Sequence, residues 1–230
     1  MIKIENTEVY GFKSAIRGMR NPMNSWHKSD SDWCEEQEIC KAICKIPFAT
    51  CQEIIGGYCI GYNDLKLMKN LVKAGSDHAK FMRMITVTCD ITAPLYFYKE
   101  WDTYKVGTVR NSCSTMHKIA SKDFTLDDFS HEHLHPDTIN CLERVIDSLN
   151  VYRNLYLEKN DKRHWWQMIQ LLPSSYNQRS TVQLNYAVLR NMYHARKNHK
   201  LDEWHTFCEW VESLPYSELI TEKYDGSITE

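Results

Sequence analysis

The residues best suited to chemistry lie on a predicted helix that follows Pro173. A rotation of about 100° per residue over 181–199 puts Asn185 and Arg196 on one face, within an otherwise apolar stripe. That stripe is Val182, Asn185, Tyr186, Leu189, Met192, Tyr193 and Arg196. A guanidinium withdrawn from water needs a carboxylate, a phosphate or several other acceptors, because its desolvation is otherwise costly. Arg196 therefore either faces a ligand or forms a structural salt bridge, which could cross an oligomer interface.

Two other groups of residues have side chains that could bind a metal ion or act as a nucleophile, but a purely structural interpretation is favoured for both. His131, His133 and His135 alternate, so in a strand their imidazoles would share one side and could hold a metal ion. The proline that follows and the acidic residues that precede them instead favour a surface loop leading into a helix. Cys113 and His117 are four residues apart and could form a thiolate pair on a helix, but no orienting acid is identifiable. We therefore predict no metal site and no cysteine nucleophile.

The composition excludes several classes of protein. The 230 residues include 28 Lys plus Arg and 30 Asp plus Glu, a net charge of -2, which leaves no basic surplus for binding a nucleic acid polymer. No apolar run approaches the roughly 20 residues that a membrane-spanning helix needs. Charges interrupt the apolar residues at 1–5, unlike a secretory signal, so we expect a cytoplasmic protein with no membrane partner. The 8 glycines form no dinucleotide-binding or phosphate-loop fingerprint.

The nine cysteines are an odd number in a chain too long to need disulfides, and a reducing compartment would keep them as thiols. Several crowd one segment, without the Cys-x2-Cys pairs that indicate a zinc site. These are Cys34, Cys40, Cys44, Cys51 and Cys59. They fall in a predicted long loop at 21–62, which we interpret as a cysteine-rich insertion.

Periodicity and capping residues predict the elements that position these groups. Pro136 opens a long helix whose apolar stripe reaches 156, and Pro94 opens a short aromatic helix over 95–101. Alternation over 81–91 predicts a strand. The other predicted elements are strands at 2–12 and 103–109, a polar turn at 111–115, and helices at 15–20, 35–44, 64–74, 181–199 and 201–214.

Several residues recur at the spacing of a known family. They are His78, Ala93-Pro94 and Trp101 before Thr103-Tyr104-Lys105, and Leu172-Pro173 followed without gaps by Asn185, Asn191 and Arg196. In these blocks, 78–116 and 172–196, the chain resembles the flavin-dependent thymidylate synthases. Thr103-Tyr104-Lys105 stand at the family's Arg-His-Arg motif, and Ser114 matches its serine if one residue is inserted.

The resemblance implies a fold and a reaction. The fold would be α/β of the α+β type, with a central mostly antiparallel sheet flanked by helices, as in thymidylate synthase-complementing proteins. It would form one domain over 1–230, with the insertion at about 21–62. The protein would bind FAD and methylate dUMP or a related pyrimidine nucleotide, with methylenetetrahydrofolate and NADPH as co-substrates. It would assemble as a homo-oligomer, a tetramer with active sites between subunits.

The resemblance also assigns roles to residues. The implied FAD-binding residues are His78, Thr103, Tyr104, Lys105, Asn185 and Asn191. Glu100, Ser114 and Arg196 would bind the nucleotide. Arg196 would also be catalytic, lying against the pyrimidine ring and favouring ionisation of its N3. Lys105 would keep one positive charge for the flavin diphosphate.

The departures from the family pattern concentrate in this pocket. Glu100 replaces a glutamine, and Met116, Ile169 and Ala187 stand where arginines are expected. Losing arginines removes bidentate anion contacts that neutral residues cannot reproduce. A second interpretation therefore stays open, in which the chain is a catalytically degenerate nucleotide-binding protein on the same fold.

Overall fold

The computed structural model describes residues 2–33 and 57–223. The predicted short helix at 35–44, together with Cys34, Cys40, Cys44 and Cys51, lies outside these residues. Within them, the main elements in chain order are β1 (Lys3–Tyr10), α1 (Phe12–Arg20), β2 (Asp32–Trp33), β3 (Tyr58–Cys59), α2 (Tyr62–Lys73), β4 (Thr86–Pro94), α3 (Leu95–Trp101), β5 (Val109–Ser112), α4 (Thr115–Lys118), α5 (Pro136–Lys159), α6 (Lys162–Leu171), β6 (Asn177–Asn185), α7 (Tyr186–Arg196), α8 (Asp202–Glu212) and α9 (Glu218–Thr221). Short 3-10 helices cover Asn21–Met23, Trp26–Lys28, Ala79–Met84 and Leu126–Asp128.

The central sheet has four strands in the order β1-β4-β6-β5, and β2 pairs with β3 in a separate small sheet. In β4, alternate residues from Val87 to Ala93 are buried and the intervening ones are half-buried, as the period of a strand requires. The sheet is antiparallel and flanked by helices, which confirms the predicted α+β fold class.

The chain divides into two compact units. Unit 1 consists of Met1–Lys3, Ile91–Thr103 and Arg110–Thr181, and unit 2 of Ile4–Asp90, Tyr104–Val109 and Val182–Glu230. The long strands β4 and β6 contribute residues to both units. The expectation of a single domain over 1–230 stays a prediction.

The core of unit 1 is built around a pair of helices, α5 and α6, which pack against each other. Leu142, Ile146 and Leu149 of α5 are buried together with Met168 of α6. The predicted helix over 136–156, with its apolar stripe, is confirmed and extends to Lys159. We did not predict α6 from the sequence.

In unit 2, α7 packs against α8, α9 and the 3-10 helix Ala79–Met84. Tyr186 opens α7 fully buried, and its backbone N–H donates to the carbonyl of Ile85 at 3.0 Å. Gly11 lies where the chain turns into α1, with φ of 98°, and a Cβ on it would lie 2.0 Å from the carbonyl oxygen of Met84. Only glycine accommodates both this conformation and this close approach.

A buried ion pair ties α1 to α2 in unit 2. Arg20 and Asp64 are 5% and 0% exposed, and Arg20 Nε donates to Asp64 Oδ1 at 2.6 Å. The hydroxyls of Ser29 and Ser31 each donate to Asp64 Oδ2 at 2.6 Å, while Arg20 also donates to the carbonyls of Ser25 and Lys28. The pair thus holds residues 25–31, which lie within the described part of the predicted insertion.

Several sequence-based boundaries are wrong, and the strand predicted over 81–91 begins only at Thr86, after the 3-10 helix Ala79–Met84. The predicted helix over 181–199 is strand β6 as far as Asn185 and becomes helix α7 only from Tyr186. The predicted strand over 103–109 is also misplaced, because β5 spans Val109–Ser112 and takes in part of the predicted turn. In both stretches small polar and β-branched residues fit either structure, so pairing within the sheet decides.

Two further expectations concern membranes and cysteines. Among the described residues, no helix combines the length and apolar character needed to cross a membrane. Cys89, Cys113, Cys141 and Cys208 are free thiols, whereas Cys59 is disulfide-bonded. The expectation that every cysteine stays a thiol is therefore wrong for Cys59.

Candidate functional site

The segment Tyr104–Val109 lies along helix α7 in unit 2 and contacts it at two points. Near the start of α7, a Cβ on Gly107 would lie 3.0 Å from Val188 Cγ2 and 3.1 Å from Asn185 Nδ2. At the end of α7, the Tyr104 hydroxyl accepts a hydrogen bond from Arg196 Nε at 2.9 Å. Gly107 has φ of 79°, a conformation that favours glycine, so the close approach and the turn depend on the same residue. The segment and α7 together form the candidate site of unit 2.

Arg196 is held between two aromatic rings. Its guanidinium carbon lies 5.4 Å from the ring centroid of Tyr104 and 5.1 Å from that of Trp204, and its side chain is half-buried. Trp204 is fully buried, so its ring is a fixed surface for the guanidinium. Contacts of this kind contribute about 0.5 to 2 kcal/mol and orient the planar group. The sequence identified Arg196 and Tyr104 separately, and the structure brings them together.

Asn185 is the N-cap of α7 and not a residue of the helix interior. Its side-chain Oδ1 accepts a hydrogen bond from the backbone N–H of Val188 at 3.0 Å. The prediction that Asn185 and Arg196 share a helical face is therefore wrong, because Asn185 precedes the helix. Both residues still border the Tyr104–Val109 segment, at opposite ends of α7. Asn191, between them in sequence, is exposed.

Substitution of Asn185 should separate its capping role from any other. Asn185→Ala removes the acceptor for Val188 N–H and should lower the free energy of unfolding by about 1 kcal/mol. Asn185→Asp keeps an oxygen acceptor at the N-terminus of α7, so its stability should stay close to that of the wild type. Urea unfolding of the three proteins measures the difference. Equal losses in both variants would contradict a capping role.

The other predicted FAD-binding residues of unit 2 are exposed. His78 is the N-cap of the 3-10 helix Ala79–Met84, and its backbone N–H donates to the carbonyl of Gly75 at 3.1 Å. Lys105 lies in the Tyr104–Val109 segment with an exposed side chain. A ligand lying on this segment could therefore reach the Lys105 ammonium.

In unit 1, the predicted residues lie near the ends of two short helices. The Thr103 hydroxyl donates to the carbonyl of Glu100 at 2.7 Å, which closes the C-terminus of α3. Ser114 is the N-cap of α4, and its hydroxyl accepts from the backbone N–H of His117 at 3.2 Å. Thr103 and Ser114 thus each have a local structural role in addition to any contact with a ligand.

Ser114 also lines a cavity of about 430 Å³ in unit 1. Its lining combines the cations Lys118, Lys122 and Arg179 with the carboxylates of Asp127 and Asp128, and Lys122 is paired to Asp128. Hydroxyl groups and ammonium or guanidinium groups together are the side chains that recognise phosphate oxygens. The cavity is therefore polar, with side chains of both charges, and Ser114 is the one residue of its lining that the sequence singled out for substrate binding.

Arg110, in β5 of unit 1, is a positioned cation that the sequence analysis missed. Its guanidinium carbon lies 4.4 Å from the ring centroid of Tyr98, and Nη2 donates to Asp102 Oδ2 at 3.0 Å. Nη1 donates to the hydroxyl of Ser180, a buried side chain, at 3.4 Å. The sequence analysis did not place Arg110 in a strand, because the predicted strand ended at 109, one residue before it.

The histidine group lies in a loop that leads into α5, as the plainer interpretation predicted. His135 is the N-cap of α5, where its Nδ1 accepts from the backbone N–H of Asp137 at 3.4 Å. His131 Nδ1 lies 2.8 Å from the carbonyl oxygen of Phe129. Within residues 2–33 and 57–223, no three or more His, Cys, Asp or Glu side chains are grouped so as to hold a metal ion.

Two solved structures with a similar fold are of one class of enzyme. A crystal structure of flavin dependent thymidylate synthase ThyX from Helicobacter pylori, complexed with FAD and dUMP, matches with a TM-score of 0.65 and 15% identity, covering 95% of this chain and 98% of that one. A second ThyX structure from Helicobacter pylori, with FAD and dUMP, has a TM-score of 0.59 and 14% identity, covering 96% and 98%. No protein-family model matches the chain, and a search of curated proteins found no match. The fold of this chain is that of the ThyX enzymes.

Proposed function

We propose that this protein is an FAD-dependent, thymidylate synthase-like enzyme. It would methylate dUMP or a related pyrimidine nucleotide, with methylenetetrahydrofolate as the one-carbon donor and NADPH as the reductant. Residues 1–230 would act as one thymidylate synthase-like domain in the cytoplasm. The observation that carries the proposal is Arg196, an arginine at the position that the family resemblance marks as catalytic, held on the rings of Tyr104 and Trp204.

The described residues are compatible with FAD. Lys105, Asn191 and His78 are exposed and offer a charge and polar groups to a large anionic cofactor. Tyr104 begins the Tyr104–Val109 segment of unit 2 and Asn185 borders it, and both are proposed FAD contacts. Thr103 is proposed as an FAD contact from the family resemblance alone. When bound, FAD would supply the hydride that reduces the transferred one-carbon group.

Arg196 would act on the nucleotide through its positive charge. A guanidinium beside the pyrimidine ring stabilises negative charge on N3 and so favours its ionisation. The hydrogen bond from Nε to the Tyr104 hydroxyl fixes the plane of the group, so that no reorientation is needed during the reaction. Glu100 and Ser114 are the other nucleotide contacts that the family resemblance implies.

FAD uptake by the purified protein tests the proposal directly. The protein should show flavin absorbance or acquire it when FAD is added. Lys105→Gln should weaken FAD binding about tenfold, because it removes a charge-assisted contact with the diphosphate. Lys200→Gln makes the same change at another exposed lysine and should leave FAD binding unaltered. If the purified protein neither carries nor takes up FAD, the proposed enzymatic function is wrong. Tight binding of dUMP by that flavin-free protein would instead indicate a nucleotide-binding protein.

The proposed enzyme would be a homo-oligomer, and a tetramer is the expected state. In the structure, α5 turns its central apolar residues into the core of unit 1, while Val151, Leu157, Trp166 and Leu171 of α5 and α6 remain exposed. Apolar side chains of this size on neighbouring helices are typical of subunit contacts. Light scattering should therefore give a multiple of the 27.2 kDa chain mass. A stable monomer at micromolar concentration would contradict the shared-site arrangement.

A further inference from the structure

A second cavity of unit 1, of about 450 Å³, lies where residues 130–134, the first three turns of α5 and residues 173–175 meet. Its described lining includes none of the residues proposed to bind FAD or the nucleotide. Leu134, Leu142 and Val145 line it and also pack in the apolar core of unit 1. Part of the cavity wall is therefore held in place by the packing of that core.

Main-chain hydrogen bonds connect the segments around this cavity. The backbone N–H of Ser130 donates to the carbonyl of Ser175 at 2.8 Å, and that of Tyr96 donates to the carbonyl of Ser174 at 3.0 Å. These bonds hold the backbone of all three segments and leave the side chains of the two serines out of the pairing. The cavity is thus formed before a ligand binds, which lowers the entropy cost of binding.

Three hydroxyl groups line the cavity, those of Thr138 on α5 and of Ser174 and Ser175 after α6. None of these three side chains forms a hydrogen bond with another described residue. A hydroxyl both donates and accepts, so each can bond to a donor or to an acceptor on a ligand. The cavity therefore offers polar groups that are available to a ligand, close to an apolar surface.

The charges around this cavity differ from those around the cavity beside Ser114. None of its described lining residues is a lysine or an arginine, and Glu132 contributes a carboxylate. An anionic ligand would lose its hydration here without gaining a lysine or arginine partner, which disfavours phosphate and carboxylate groups. Tyr96 and Pro173 also line the cavity, and their rings add flat apolar surface. The lining therefore favours an uncharged ligand with a flat apolar part.

We propose that this cavity binds a small uncharged aromatic molecule whose ring has a hydrogen-bonding group on one edge. The ring would lie against the apolar lining, and its polar edge would bond to the hydroxyls of Thr138, Ser174 and Ser175. The volume of about 450 Å³ lies within the range of small-molecule pockets. The proposal goes beyond the flavin-dependent reaction, and its test contains neither flavin nor nucleotide.

The reactivity of Cys141 tests the proposal on the full-length protein. Its exposed thiol lines this cavity, whereas the exposed thiol of Cys113 lines the cavity beside Ser114 and serves as the internal control. The protein is alkylated with N-ethylmaleimide, and mass spectrometry of the peptides gives the rate at each cysteine. Millimolar indole, an uncharged bicyclic ring with one N–H donor, should slow the alkylation of Cys141 saturably and leave that of Cys113 unchanged.

A second probe and one combined variant test the polar edge. Indene has the shape of indole without the N–H, so protecting Cys141 should require an about three- to tenfold higher concentration of indene. A protein that combines Thr138→Val, Ser174→Ala and Ser175→Ala should lose this preference for indole, because the hydroxyls that accept from the N–H are gone. Ser148→Ala is the matched control, since Ser148 lies on α5 outside the cavity lining and its hydroxyl donates to the carbonyl of Arg144. It should keep the preference.

The possible results separate the proposal from a non-specific effect. Saturable protection of Cys141 that is stronger with indole than with indene supports it. No protection by millimolar indole overturns it, as does equal protection of Cys113, which would indicate a non-specific effect of the probe. Equal protection by indole and indene also overturns it, because the hydroxyls would then have no role. If thermal melting shows that the combined variant is not folded, the comparison of the two probes on the wild type decides alone.

Discussion

Replacing Asp64 with alanine is expected to lower the free energy of unfolding by about 3 to 5 kcal/mol. The reason is that Arg20, 5% exposed, would keep its charge inside unit 2 after losing the carboxylate 2.6 Å away. The hydroxyls of Ser29 and Ser31 would lose their acceptor in the same change. Urea or thermal unfolding measures the effect, and a loss below about 1 kcal/mol would show that water or other groups replace the carboxylate.

An exposed ion pair of the same unit provides the control. Lys69 contacts Glu222 at 3.3 Å, but the two side chains are 31% and 42% exposed. Pairs of this kind contribute about 0 to 1 kcal/mol, so Lys69→Ala should have a much smaller effect than Asp64→Ala. Because each substitution removes one charged partner of an ion pair, the difference between the two losses in the free energy of unfolding measures the effect of burial.

The same pair should make stability depend on acid pH. Burial alone would raise the pKa of Asp64, but hydrogen bonds from Ser29, Ser31 and Arg20 and the charge of Arg20 outweigh it, and the pKa is lowered from 3.8. A carboxyl with a lowered pKa in the folded state contributes stability that is complete above its unfolded value. That contribution is lost as pH falls below 3.8 and through the folded value. Asp64→Asn should lack this part of the acid dependence, so the difference between the two unfolding curves isolates it.

Elements with one consistent period could be predicted from the sequence. The stripe of α5 recurs every three or four residues and is buried on that face, and the Pro136 that opens it has no N–H to leave unsatisfied. For the same reason Pro94 marks the start of α3, whose predicted bounds, 95–101, are those observed. In these cases local sequence and tertiary packing favour the same structure.

The junction of β6 and α7 could not be predicted in the same way. Val182, Leu184 and Tyr186 alternate as a strand does, yet Val182, Tyr186 and Leu189 also follow a helical period. Asn185 suits either the interior of a helix or an N-cap, and only the pairing of β6 in the sheet decides between them. Tyr104 and Arg196 are 92 residues apart, so their hydrogen bond follows from the tertiary fold and leaves no local signal. Sequence could name the candidate residues, but it could not give their contacts.

Arg196→Ala is expected to weaken dUMP binding about tenfold or more, a loss of roughly 1.5 to 3 kcal/mol, because it removes a charge-assisted contact with the pyrimidine. The stability of the ligand-free protein should fall by roughly 1 to 3 kcal/mol, the size of the hydrogen bond to Tyr104 together with the contacts with the rings of Tyr104 and Trp204. Calorimetry with dUMP and urea unfolding measure the two quantities. Because they respond to different interactions, they separate a ligand-facing arginine from a structural one.

Two matched variants refine the result. Arg196→Lys keeps the charge but loses the planar guanidinium, so dUMP affinity should recover only in part. Tyr104→Phe keeps the ring and removes the hydroxyl that accepts from Arg196 Nε at 2.9 Å. As a positioning residue, Tyr104 should then affect dUMP affinity less than Arg196 does, by a few-fold, without a change in net charge. Unchanged dUMP affinity in Arg196→Ala, together with a stability loss of about 3 to 5 kcal/mol, would identify half of a buried structural ion pair and remove the proposed catalytic role.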